Sequence, residues 1–347
     1  MRETDALDEL DLELITALQL SPRAPWAQLA GPLGVDAATL SRRWARLRDG
    51  GHAWISCYLG PSQIDFVSVA LIELDCVPAL REELAARIAR HPFAFSVEII
   101  AGGCDLLLTV CVHSPVALAE YVLLLDRLPG IVASRVHPVQ RMYREGSQWQ
   151  FDALSREQRR GLSGPSGTGD GTELDPGERR LMLALGEDGR ASYRDLAAMT
   201  GQGERTVRRM LSAMLAGGRA VLRCDVALPA AGWQDGASVL MSVPPAQLAA
   251  AAEVVAAHRM TRLSATVASE ANLAAAVWFH RLSDLTGYEA DLAARIPGLR
   301  VLRRAVTLRT VKRTGRLISA RGSARGHVAM DVWAVVEPEE ADGSATA

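Results

Sequence analysis

A chain of 347 residues with 49% hydrophobic and 22% charged residues has ordinary globular composition, which predicts two or three cored domains and excludes disorder over most of its length. Its most apolar runs, Leu106–Val112 and Tyr121–Leu125, fall far short of the ~20 residues that span a bilayer. The net charge of -2 excludes a whole-protein basic signal, although every basic residue except Lys312 is an arginine. Along the chain, Leu7, Leu10, Leu14, Ile15 and Leu18 recur at helical spacing beside an acidic face of Asp8, Glu9, Asp11 and Glu13. Trp26, Leu29 and Ala30 mark a short second helix. Gly34 makes a corner and Asp36 N-caps a third helix, with Leu40, Trp44 and Leu47 as its buried stripe. The opposite face carries Ser41, Arg42, Ala45 and Arg48, and Gly50-Gly51 stops the helix.

Three short helices with a glycine-bearing turn before the last form the helix-turn-helix pattern. A helix that projects arginines and small polar residues fits the DNA major groove, while apolar residues anchor its other side. On that reading Arg42 and Arg43 contact phosphate or bases, with Thr39 and Ser41 near base edges. The competing reading is a winged or tri-helical protein-interaction domain with a solvated arginine face.

Beyond this segment the pattern changes. Phe66–Leu74 reads as a strand, Val77–His91 as a helix, and Phe95–Ala101 and Asp105–Val112 as strands joined at Gly102-Gly103-Cys104. Pro115–Arg127 is a helix and Ile131–Met142 a final strand. The order βαββαβ predicts a ferredoxin-like sandwich, whose open sheet face calls for packing against another such sheet.

Then the chain repeats itself. After the Gly/Ser/Pro-rich stretch Leu162–Gly171, read as a flexible linker, Leu7-Asp8 recurs as Leu174-Asp175, Arg23 as Arg190, Leu29-Ala30 as Leu196-Ala197, Gly34 as Gly201 and Gly50-Gly51 as Gly217-Gly218. All these pairs are offset by 167, a register that slips by one residue only at Leu128-Pro129-Gly130 against Ile296-Pro297-Gly298. The second third helix buries Val207, Leu211 and Met214 and exposes Arg205, Arg208, Arg209 and Ser212, with Arg205 expected near base edges and Arg208 and Arg209 on phosphate or bases. Strands near Ser238–Val243, Leu263–Val267, Leu273–Phe279 and Leu299–Leu308, with helices over Ala246–His258 and from Leu282, repeat the sandwich. The predicted class is therefore α+β, winged or tri-helical helix-turn-helix units and ferredoxin-like βαββαβ sandwiches duplicated in tandem. The domains are 1–60, 64–146, 174–228 and 236–315, with a linker at 160–173 and a tail at 318–347. The tail region is basic from Arg300 to Arg325, read either as an accessory phosphate-contacting surface or as an exposed strand face followed by a mobile tail.

A helix-turn-helix followed by βαββαβ, with Leu7-Asp8, Arg23, Leu29-Ala30, Leu33-Gly34, Arg43, Leu47 and Gly51 in the first module and Gly102, Asp105-Leu106 and Leu128-Pro129-Gly130 in the second, resembles the Lrp/AsnC family of transcriptional regulators. The resemblance implies a regulator of double-stranded DNA whose sensor modules pair and bind an amino acid or related metabolite near the loop of Gly102, Gly103 and Asp105. It also implies a homo-oligomer formed through the sensor sheets. From the residues alone, the glycines permit close approach and Asp105 can accept from an ammonium, against a plain β-turn. The second copy reads Ser269-Glu270-Ala271-Asn272 there and has Met210 where the first has Arg43. Together the copies would form an internal pseudo-dimer, with ligand retained by the first.

No enzyme, cofactor or metal site is expected. The histidines make no ligand-spaced pair, and no P-loop, G-x-S-x-G or dinucleotide fingerprint is present. The architecture is also similar to the sirohaem decarboxylases, the alternative reading, although their Tyr-Arg-Arg and Trp-Pro-Tyr-Asn type segments are absent from Val97–Asp105. An acidic N-terminus without a signal-type apolar segment, no membrane span, and five widely spaced cysteines suit a reducing cytoplasm.

Overall fold

The computed structural model describes residues 7–160, 162, 172–233 and 236–336. Helix α1 (Glu9–Leu20) opens with a reciprocal cap, in which the Asp8 carboxylate accepts from the Asp11 amide at 2.8 Å and Asp11 accepts from the Asp8 amide. Helix α2 (Trp26–Leu33) ends at Gly34, whose φ of 66° lies where side chains are disfavoured. Helix α3 (Ala37–Asp49) is capped by Asp36 and buries Leu40, Trp44 and Leu47, as its stripe predicts. Strand β1 (Ala53–Leu59) follows. Then come β2 (Ser68–Cys76), α4 (Arg81–Ile88), β3 (Ala94–Gly102), β4 (Leu106–Val112), α5 (Pro115–Asp126) and β5 (Ile131–Arg144).

After the single turn α6 (Arg156–Arg159), the same order of elements returns. Helices α7 (Pro176–Glu187), α8 (Tyr193–Thr200) and α9 (Glu204–Ala216) carry an Asp175–Glu178 cap and a left-handed Gly201. They are followed by β6 (Ala220–Val226), β7 (Ala237–Ser242), α10 (Leu248–Ala257), β8 (Thr261–Val267), β9 (Leu273–Val277), α11 (Asp284–Arg295) and β10 (Arg300–Arg313). A hairpin of β11 (Arg316–Ile318) and β12 (Ala324–His327) comes last.

The strands do not form two sandwiches stacked face to face. Within the first half they run β5-β2-β4-β3, and within the second β10-β7-β9-β8. Edge then meets edge, because β5 pairs with β8 and β10 with β3, so eight antiparallel strands close into a barrel. Closure removes the unpaired N–H and C=O rows that each half alone would expose, which is the physical reason it replaces stacking. The expected pairing of sensor sheets is thus made inside one chain. Helices α4 and α5 cover one side of the barrel over Ile72, Leu74, Leu106 and Leu108, and α10 and α11 cover the other. Leu71, Ile100, Leu107, Leu240, Val267 and Ala274 plug its interior.

The two helical units share one core, joined by a ribbon in which β1 pairs with β6 from Ala53↔Val226 to Leu59↔Ala220. The segment expected as a tail is structured over its described length. The Ala324 amide donates to the Gly51 carbonyl at 2.9 Å, the Arg316 guanidinium donates to the Glu187 carbonyl, and Met330 and Val332 are buried. Most of the expected linker, including Gly164–Gly169, lies outside the described residues, although the Leu162 carbonyl accepts from Ser21 Oγ at 2.6 Å. The cysteines are buried and unpaired. Among the described residues no helix is long and apolar enough to cross a membrane, and no group of three His, Cys, Asp or Glu could hold a metal.

Candidate nucleic-acid interface and its link to the barrel

In the first helical unit the arginines of α3 divide into two sets. The Arg43 guanidinium donates to Asp8 at 2.6 Å and to Asp11 at 2.8 Å, and Arg46 donates to both oxygens of the fully buried Asp11. The hydrogen bonds to Asp8 and Asp11 raise the Arg43 guanidinium above its ordinary value against the opposing effect of burial. Arg43 thereby ties α3 to the start of α1. Arg42 is exposed and donates to Thr39 Oγ1 at 3.2 Å, Thr39 in turn donates to Asp36 at 2.7 Å, and Ser41 is half-buried. Arg46 and Arg48 extend the exposed row. Arg46 is absent from the predicted set, though its spacing of four from Arg42 marks the same helix face.

The second unit solves the same electrostatic problem differently. Glu178 stands where the first unit has Asp11, and it accepts from Arg219 at 2.7 Å, a residue lying beyond α9. Met210 occupies the place of Arg43, so α9 turns Arg205, Arg208 and Arg209 outward, with Arg208 lying 4.5 Å over the Tyr193 ring.

A reciprocal exchange holds the units together. Arg23 donates to the carbonyls of Gly189 and Ala191 at 2.7 and 2.9 Å, while Arg190 donates to those of Pro22 and Ala24 at 2.6 and 3.0 Å. Each guanidinium also covers the other unit's aromatic ring, Arg190 at 3.9 Å over Trp26 and Arg23 at 5.1 Å over Tyr193. Burial pushes Arg190 down to about 10. Charged donors to carbonyls contribute roughly 1.5–3 kcal/mol each, so the relative placement of α3 and α9 is fixed by more than the ribbon.

At the far end of the barrel the glycine loop meets a charge cluster. Gly102 has φ 118° and packs on the Arg304 carbonyl, while the space beside Gly103 is filled by the Arg303 side chain. The Asp105 carboxylate accepts from the Cys76 amide at 2.9 Å and from Arg81. In the second half Asn272 takes the matching place, accepting from the Val243 amide at 2.9 Å. Next to the loop, buried Glu73 binds Arg135 at 3.0 Å and also Arg303, with His137 Nε2 3.5 Å away. Burial alone would raise the Glu73 carboxyl, but His137, Arg135 and Arg303 hold it below its ordinary value. Arg135 also grips Asp75 through two nitrogens and donates to the Gly103 carbonyl at 3.1 Å. Neither this cluster nor the arginine exchange figures in the predicted sites. Only the matching positions of Arg23 and Arg190 signalled the exchange.

Comparison with known proteins gives three findings. The AsnC-type helix-turn-helix domain profile matches residues 7–48. An uncharacterized HTH-type transcriptional regulator of Pyrococcus furiosus is 30% identical over 126 residues, 36% of this chain and 84% of the relative, and one of Pyrococcus abyssi is 25% identical over 118 residues, 34% and 75%. Among solved structures, the siroheme decarboxylase NirDL superposes with a TM-score of 0.56 at 14% identity, covering 88% of this chain and 93% of its own, a likeness of fold.

Proposed function

Because this chain belongs to the Lrp/AsnC family of helix-turn-helix transcriptional regulators, we propose that it reads double-stranded DNA with two helix-turn-helix units carried in one chain, and that a small metabolite sets their placement. The observation that carries this reading is the pair of outward arginine rows, Arg42 and Arg46 on α3 and Arg205, Arg208 and Arg209 on α9, locked together by the Arg23–Arg190 exchange. Thr39 and Ser41 lie beside the first row, and Arg43 supports it from behind through Asp8 and Asp11. The offset of 167 and the repeated order of elements favour two tandem copies, each with a ferredoxin-like strand order, acting as an internal pseudo-dimer. An amino-acid effector at Gly102, Gly103 and Asp105 is the site the resemblance implies, and an ammonium would have to displace Arg81 from Asp105 there.

The test is a salt titration of binding to genomic fragments around the protein's own promoter, with excess nonspecific DNA. Arg42→Ala and Arg205→Ala/Arg209→Ala should each weaken specific binding, and specific binding that neither weakens would exclude these helices as the readers. The second reading, a siroheme decarboxylase, is favoured by the fold shared over 88% of the chain. It predicts a visible-absorbance change when iron-uroporphyrin III is added, and the regulator reading predicts none.

A further inference from the structure

Between the β1/β6 ribbon and the near end of the barrel lies a cavity of about 210 Å3. We infer that it binds a small apolar molecule bearing one carboxylate, and that Arg262 receives that carboxylate. The inference rests on the proposed regulator, since the occupant would touch both the ribbon carrying the helical units and the barrel.

The size sets the ligand class. A cavity of about 150 Å3 lined by aliphatic and aromatic side chains accepts benzene, so this one has room for about eight to ten non-hydrogen atoms. Its walls are largely apolar, with Leu59 from β1, Val69 from β2, Phe95 from β3 and Leu263 from β8. The charges in the walls are accounted for by the protein with one exception. Arg223 is held by Asp225 at 2.6 Å, and Arg144 spends its donors on the carbonyls of Ala256 and His258 at 2.7 and 3.1 Å. Glu145 accepts from the Tyr58 hydroxyl at 2.6 Å and the Ser147 amide at 2.8 Å.

Arg262 is the exception. Its Nε is buried without a hydrogen-bond partner and no carboxylate lies within ion-pairing distance among the described residues. Its described contact is the face of the Trp278 ring at 4.9 Å. Burial and the neighbouring Arg223 push its guanidinium down to about 9, against the opposing pull of Asp225 and Glu98, neither of which pairs with it. An unpaired guanidinium in a low-dielectric cavity is costly, and its planar fork matches a carboxylate through two parallel bonds. The matching position in the first half is Phe95, so the barrel forms without a cation at this place. Because the walls offer no uncommitted carboxylate, nothing there would receive an ammonium. The class is therefore an amine-free carboxylate, distinct from an amino acid at the glycine loop.

The experiment titrates the full chain with benzoate and hexanoate, and with benzamide and hexanamide as neutral counterparts, by calorimetry. Binding to the same promoter DNA is measured without any of them. The expected result is saturable carboxylate binding at least tenfold tighter than amide binding, lost at least tenfold in Arg262→Met. The cavity-filling Val69→Phe, which retains the arginine, should lose carboxylates and amides alike. No saturable carboxylate binding, equal affinity for the amides, or undiminished binding in either variant would overturn the inference. Wild type that binds DNA but no carboxylate overturns the cavity site alone, whereas binding of benzoate without DNA binding overturns the regulator and leaves the cavity site standing.

Discussion

Where the first half of the barrel has Glu73 the second has Leu240, and the arginines opposite them respond to that exchange. Glu73 stands across from Arg135 on β5, and Leu240 is registered against Arg303 on β10. With leucine in place of an acid opposite it, Arg303 reaches across the barrel and shares Glu73 with Arg135. A second pair shows the converse, one task done by two chemistries. Arg144 on β5 donates to the His258 carbonyl at the end of α10, and Lys312 on β10 donates to the His91 carbonyl just past α4. The two halves keep backbone-directed contacts in common and diverge where side chain meets side chain. Shape is thus preserved while one interior becomes chemically asymmetric.

Making the halves alike should break this balance. Glu73→Leu leaves Arg303 without an acid and Arg135 with Asp75 alone, and should cost about 3–5 kcal/mol in urea unfolding, while Glu73→Leu/Arg303→Leu should recover part of the loss. Lys312 sharpens the second pair. Burial pushes its amine down to about 7 from an ordinary 10.5. Between those values the unfolded chain holds a proton that the folded chain has shed, so stability rises as pH goes from about 7 toward 10.5, and the penalty is complete below 7. Lys312→Met should be more stable than wild type by about 1–4 kcal/mol at pH 6, with the difference shrinking as pH rises through that window.

The helical units offer a finer contrast. Asp11→Ala strands Arg46 and leaves Arg43 with Asp8 alone, and should cost about 2 kcal/mol, against about 1 kcal/mol for Glu178→Ala, which strands Arg219. Thermal unfolding of the two variants side by side gives the comparison. Smallest of all, Arg42→Ala and Arg209→Ala should each reduce the slope of log affinity against log salt by about 1. A change in only one would identify the half that carries the DNA contact.

The helices were legible because each has one buried face, so α3 announces itself through Leu40, Trp44 and Leu47 and both corners through Gly34 and Gly201, while barrel strands such as Leu106–Val112 show as apolar runs bounded by turns. The β1/β6 ribbon was not. Ala53–Cys57 is buried throughout, between the shared helical core and the barrel, so it lacks the alternation that marks a strand. Barrel closure was equally hidden, since edge pairing uses backbone groups that every sequence supplies. At the site, Arg42, Arg205, Arg208 and Arg209 could be read as an outward row. The engagement of Arg43 could not, because it depends on Asp8 and Asp11 being folded against it from another helix.

The ribbon also carries a cost in time. Strand β1 leaves the ribosome with its partner β6 still unmade, as Ala53 pairs with Val226. At roughly 5–20 residues per second this interval is on the order of ten seconds or more. During it the first helical unit lacks half of its core and exposes an unpaired strand edge. Synthesis of this protein therefore passes through a window in which apolar surface and an unpaired strand edge are open to misassociation.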